Sequence, residues 1–140
     1  MHPLIVVILA SLLTACANAG GTAVTEGPSA PAIVRTRLDV RYATQSDAQR
    51  LDLYLPATGD GPFPLVVWIH GGAFSGGTKS LGANDAARRL VAKGYAVASL
   101  EYRLSGEALF PAGVLDLKAA VRHLRANAAT YRIVPEKIGA

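Results

Sequence analysis

Pro64-Leu65-Val66-Val67-Trp68-Ile69-His70-Gly71-Gly72-Ala73-Phe74-Ser75-Gly76-Gly77-Thr78-Lys79-Ser80 reads as a strand that runs directly into a glycine-rich loop. Leu65 to Ile69 is apolar without alternation, the pattern of a strand covered on both faces at the centre of a parallel sheet. In open α/β sheets ligands bind beyond the carboxyl ends of the strands. The residues from His70 to Gly77 are therefore where chemistry is to be sought. Glycines there either serve a tight turn or let backbone N–H groups approach something negative.

On the amino side, Val34, Leu38, Val40 and Tyr42 alternate with Arg35, Arg37, Asp39 and Arg41, and Leu51, Leu53 and Leu55 repeat the period of two. Joined through Thr44-Gln45-Ser46-Asp47, the two runs predict an antiparallel pair with one wet face, on which Asp52 is exposed. Pro56 to Pro64, with three prolines and two glycines, is a loop.

On the carboxyl side, Asn84 or Asp85 caps a predicted helix that runs to Lys93, with Ala86, Leu90 and Val91 inward and Gly94 at its end. Ala96 to Leu100 is the next strand. Pro111 opens a long helix with Val114, Leu117, Val121, Leu124 and Ala128 on one stripe. Pro135 breaks the chain, and Ile138-Gly139-Ala140 begins another strand. A leading hairpin followed by strands alternating with helices predicts an α/β sheet with helices on both sides, joined by right-handed crossovers.

The 140 residues are 51% hydrophobic, 17% charged and 6% aromatic, with a net charge of +4. That suits one globular domain and not a disordered chain. The basic surplus is scattered and aromatics are few, so no nucleic-acid partner is expected. One cysteine and three histidines exclude a disulfide framework and argue against a zinc cluster. Leu4 to Leu13 has the length of a secretory apolar segment and is too short to span a bilayer comfortably. The cysteine stands in Leu13-Thr14-Ala15-Cys16, which resembles the lipobox of bacterial lipoproteins, although Met1-His2-Pro3 lacks the usual basic residue. This predicts a lipoprotein-type signal peptide over 1–15, a lipid on Cys16 and a flexible tether over 16–33, which leaves 34–140 for the domain, partial by the resemblance given below. The chain is then exported and lipid-anchored to a membrane of the cell envelope, or periplasmic or secreted if Cys16 carries no lipid.

Two chemistries compete for the glycine-rich loop. Ala73 to Ser80 approaches the phosphate-binding pattern G-x-x-x-x-G-K-[ST] but has Ala73 for its first glycine and Thr78 before Lys79. The second departure removes the glycine that lets such a loop wrap a phosphate. The other chemistry is a developing oxyanion in acyl transfer. Strand-His-Gly-Gly-small-aromatic resembles the oxyanion loop of the α/β-hydrolase superfamily, in its lipase-like and carbohydrate-esterase branch. Arg50 to Pro56, Pro64 to Ser80, Glu101 to Ser105, Phe110 to Ala112, Asp116 to Ala120, Arg125 to Ala128 and Pro135 to Gly139 continue the likeness in order.

The resemblance implies the N-terminal half of an α/β-hydrolase fold and a carboxylic ester hydrolase acting on small acyl or carbohydrate-linked esters without metal or organic cofactor. The backbone N–H groups of Gly72 and Ala73 would hold the carbonyl oxygen, worth about 3–4 kcal/mol each to the transition state. His70 and Gly71 would support the loop, and His70 would not be the base. Alanine at position 73, where the branch often has glycine, keeps the N–H provided its φ/ψ is allowed.

No G-x-S-x-G occurs. The resemblance places the serine, acid and histidine of the triad after Ala140, so the 140 residues alone are expected to be inactive. Within them, His123 reads as a solvated helix flank beside Arg122 and Arg125. Asp116 reads as an ion-pair partner for a base such as Arg103. Tyr102 and Arg103 read as a structural or pocket-rim pair, and Arg88-Arg89 as a helix surface. Without the strand that delivers the nucleophile, Leu65 to Ile69 would be a bare apolar edge. A non-catalytic lipoprotein or binding module on the same scaffold is the competing expectation.

Overall fold

A computed structural model describes residues 35–82 and 85–140. The signal peptide, Cys16, the tether and the Asn84 cap lie outside the described residues. Five strands form one mixed sheet in the order β1-β2-β4-β3-β5, from β1 (Arg35–Arg41), β2 (Arg50–Leu55), β3 (Phe63–Ile69), β4 (Ala96–Leu100) and β5 (Ile133–Gly139). Three helices accompany them among the described residues: α1 (Asp85–Ala92), α2 (Ala112–Ala126) and the short α3 (Ala128–Tyr131). No described helix is long and apolar enough to cross a membrane.

β1 and β2 form the expected antiparallel pair, and β2 continues antiparallel onto β4. β4, β3 and β5 are parallel, with β3 between the other two. Consecutive parallel strands are linked by α1 and by α2 with α3, as parallel pairing demands. The two faces of the sheet are read directly from the register. Leu53, Ala98 and Val67 are aligned partners on one face and pack with Ala120, Leu124 and Tyr131 of α2 and α3. Tyr54, Val97 and Val66 alternate to the other face, where Val97 packs with Ala87 and Val91 of α1.

Several expectations shift in detail. Leu38 is 59% exposed, because a bulge between Arg37 and Val40 inserts a residue and Asp39 turns left-handed at φ 55. One extra residue reverses the face of its neighbour. In α1 the inward alanine is Ala87, not Ala86, alongside Val91. The end at Gly94 holds: φ is 90, Tyr95 N–H donates to Leu90 and Gly94 N–H to Val91, the paired bonds of a Schellman close. The buried stripe of α2 runs through Gly113, Asp116, Ala120 and Leu124, leaving Val114, Leu117 and Val121 half-buried on its flank. A hydrophobicity stripe misses this because a glycine, an alanine and a paired acid hold the closest contacts.

β3 is less deeply covered than its composition suggests. Val66 and Trp68 are half-buried and Ile69 is 42% exposed. The edge of β3 is covered as far as Val66 and bare from Val67 to Ile69 among the described residues. β5 starts at Ile133, ahead of Pro135, and pairs Phe63 with Ile133, Leu65 with Ile138 and Val66 with Gly139 across an irregularity. That irregularity accommodates the proline, which cannot donate to a regular ladder.

Candidate active site

β3 and β4 end side by side, with Ile69 paired to Leu100, so His70 and Glu101 leave the sheet as neighbours. The loop after His70 turns back on itself at Gly72. Gly72 has φ 117, and a Cβ there would lie 2.1 Å from the Gly76 carbonyl oxygen. Ala73 (φ 52) and Phe74 (φ 61) are both left-handed, and the Gly72 carbonyl accepts from the Ser75 amide and hydroxyl, each at 2.9 Å. A left-handed alanine costs roughly 1 kcal/mol. Ala73 therefore keeps its N–H at a conformational cost. Among the described residues neither the Gly72 nor the Ala73 N–H donates to a protein acceptor.

The loop is gripped from below. The His70 ring lies flat on Tyr102, 4.5 Å between centroids and 12° between planes, and Tyr102 Oη donates to the His70 carbonyl at 2.9 Å. His70 Nε2 contacts Glu101 Oε1 and Nδ1 contacts the Gly71 carbonyl, both at 2.9 Å. Gly77 (φ 111) passes so close that a Cβ would lie 2.1 Å from His70 Nδ1. Both ring nitrogens of His70 are thus engaged, and a catalytic base would need a free one.

The far end of the loop is fastened by Lys79. Its Nζ reaches Asp52 Oδ1 at 2.8 Å and Asp39 Oδ1 at 2.9 Å, its N–H donates to Glu101 Oε2 at 3.1 Å, and its carbonyl accepts from Ser99 Oγ at 2.7 Å. Burial alone pulls the ammonium down in pKa, and the bonds from the two carboxylates carry it above the ordinary lysine value. An ammonium held this way is not available to a phosphate. Asp52, expected on a wet face, is 5% exposed. It also accepts the Asp39 N–H at 2.8 Å, so the polar residue of the alternation is the buried acceptor of the β1 bulge.

Asp116 and Arg103 form the expected ion pair. Asp116 is 1% exposed and accepts Arg103 Nη2 at 2.7 Å, Arg103 Nε at 2.8 Å and Gln49 Nε2 at 2.7 Å. Burial raises its pKa, but these bonds outweigh it and hold the carboxyl below the usual range. Arg103 also helps to wall a cavity of about 110 Å³ with Phe74, Ser105, Ala108, Phe110, Gly113 and Val114. A larger groove of about 340 Å³ along α2 shares only Val114 with it and has no hydroxyl or acid in its wall. Among the described residues no group of three His, Cys, Asp or Glu is placed to hold a metal.

His123 is a correction. Its ring is half-buried, with Nε2 2.8 Å from Tyr131 Oη, and burial pulls its pKa down. Glu101 is the residue that the sequence did not single out. The signal that could have found it is its position, one residue past a fully buried strand and before a Tyr-Arg pair.

Comparison with known proteins agrees with this fold. Carboxylesterase NlhH of Mycobacterium tuberculosis is 38% identical over 88 residues, which are 61% of this chain and 27% of that protein. A bifunctional GH43-CE protein of Bacteroides eggerthii superposes with a TM-score of 0.69 at 38% identity, over 74% of this chain and 14% of that one. A truncated carbohydrate esterase from gut microbiota gives 0.72 at 34% identity, over 81% and 41%. The chain spans 16% of the length of Esterase LipC of Mycobacterium tuberculosis and 28% of that of Kynurenine formamidase of Danio rerio. Residues 51–140, more than half of the chain, match the family described as BD-FAE. The chain therefore belongs to the BD-FAE family, on a fold it shares with α/β-hydrolase esterases.

Proposed function

We propose that the protein is a serine carboxylic ester hydrolase for small acyl or carbohydrate-linked esters, and that residues 70–79 form its oxyanion loop. The observation that carries this reading is the pair of backbone N–H groups at Gly72 and Ala73, which donate to no described protein atom. They follow the strand end where α/β sheets bind ligands. The esterase names of the relatives support the same chemistry.

In this mechanism a serine hydroxyl attacks the ester carbonyl while a histidine takes its proton. The carbonyl oxygen becomes an oxyanion, and the N–H groups of Gly72 and Ala73 donate to it more strongly than to the neutral carbonyl. Collapse of the intermediate expels the alcohol, which takes the proton back, and water then releases the acyl group. Residues 1–140 contain no G-x-S-x-G. The reading therefore requires the serine, acid and histidine from elsewhere in the full-length protein. The small cavity beside Phe74 suits one apolar arm of such an ester.

Export with a lipid on Cys16 belongs to the same proposal and rests on Leu4 to Leu13 and the Leu13-Thr14-Ala15-Cys16 sequence. The deciding experiment is hydrolysis of p-nitrophenyl acetate by the full-length protein. Turnover that disappears in Gly72→Ala, whose Cβ would collide with Gly76, is the expected result. A folded full-length protein without turnover on any ester in a broad screen would instead make it a binding module.

A further inference from the structure

We propose that Glu101 is a positioning residue that clamps both ends of the oxyanion loop and so sets where the Gly72 and Ala73 amides point. The inference rests on the ester-hydrolase reading for its kinetic consequence but on distances alone for its geometry. Glu101 Oε1 holds His70 Nε2 at 2.9 Å and Oε2 holds the Lys79 N–H at 3.1 Å, so one carboxylate spans the first and last residues of the loop. Its own backbone is fixed on both sides: its N–H donates to Arg50 at 2.9 Å and its carbonyl accepts Tyr42 Oη at 2.7 Å. Between the clamped ends, the loop from Gly71 to Ser75 is exposed, with the Ser75 amide and hydroxyl on Gly72 as its internal hydrogen bonds. The Ser105 N–H, four residues beyond Glu101, donates to the Phe74 carbonyl at 2.7 Å and steadies the tip from the same segment.

Among the described residues Glu101 is the one side chain that reaches both ends of the loop, acting beside Tyr102 on His70 and Asp39, Asp52 and Ser99 on Lys79, and a loop so held is pre-organised. Releasing it spreads the amides over many orientations and weakens an interaction made chiefly in the transition state, so kcat falls while KM holds. The acid's reach matters more than its charge. Glutamine at 101 can still accept the Lys79 N–H with its oxygen and donate its amide N–H to His70 Nε2, with the ring neutral and Nδ1–H on the Gly71 carbonyl. Aspartate keeps the charge but is one methylene short of spanning both partners.

The test uses the full-length protein and p-nitrophenyl acetate, with amide hydrogen exchange as the second readout. Glu101→Ala and Glu101→Asp are expected to lower kcat by about 10- to 100-fold with KM within about twofold, and Glu101→Gln to recover most of the loss. Exchange at the Lys79 amide should accelerate in Glu101→Ala and Glu101→Asp but not in Glu101→Gln. Wild-type kcat in Glu101→Asp, or equal damage in Glu101→Gln and Glu101→Ala, would overturn the clamp. If Glu101→Ala does not fold, the Asp and Gln variants decide. An inactive wild-type protein would overturn the ester-hydrolase reading; the clamp would then stand or fall on the exchange at Lys79.

Discussion

At the scale of single residues, the loop glycines divide into those the chain requires and those it tolerates. Gly77 lies against His70 at a positive φ, whereas a Cβ at Gly76 would meet nothing within 4 Å. Gly77→Ala should therefore cut kcat of the full-length protein by at least about tenfold, as expected for a displaced oxyanion donor, and Gly76→Ala should stay within about twofold. Steady-state kinetics on one ester compares them. Ala73 offers the opposite case. Its left-handed φ of 52 makes Ala73→Gly stabilising by up to about 1 kcal/mol, read as a raised denaturant midpoint at unchanged m-value. Asp116→Ala leaves the Arg103 guanidinium and Gln49 without their shared buried acceptor and should cost about 3–5 kcal/mol. Because the Asp116 pKa is lowered on folding, its contribution is present above the unfolded value near 3.9 and is lost as pH falls through the folded value.

At the scale of elements, α2 and α3 are joined by a titratable contact. His123 Nε2 lies within hydrogen-bond distance of Tyr131 Oη, and burial, which penalises the charged ring, lowers the pKa of His123 on folding. Stability from this pair is present above about pH 6.5 and declines as pH falls below it. His123→Gln keeps a hydrogen-bonding group that does not titrate, so the fall in melting temperature between pH 7 and pH 5 should be smaller in that variant than in the wild type. The same scale shows what the sequence discloses. The order of elements, the Schellman close at Gly94, the Asp116–Arg103 pair and the placement of His70 were all legible, because each depends on local spacing or on a motif. The bulge at Asp39, the early start of β5 and the burial of Asp52 were not. Each is decided by a partner distant in the chain: Leu51 and Leu53 for the bulge, Phe63 for β5, and Lys79 for Asp52. Period-two reasoning assigns Asp52 to water because it cannot see a lysine arriving from 27 residues away.

At the scale of the molecule, the sheet has two edges, β1 and β5. β5 covers β3 as far as Val66, leaving Val67 to Ile69 without a neighbour on that side among the described residues. Together with the outer side of β5 this is open backbone next to apolar side chains, the arrangement that invites another strand. The 140-residue chain by itself should accordingly associate. Light scattering over a tenfold dilution is expected to show a mass that falls toward the monomer. A single monomeric species at every concentration would mean that the edge is protected. Leu109 and Phe110, 82% and 87% exposed, extend the apolar surface at the end of the sheet that carries the loop.

The bulge in β1 has a mechanical consequence. By turning Asp39 toward Lys79 it ties an outermost strand to the last residue of the loop, 2.9 Å away, without passing through the intervening ladder. A pull on the amino-terminal end of the domain would load β1 before any other strand. The ion pair to Lys79 would give that tension a route to the loop alongside the β1–β2 ladder and Asp52.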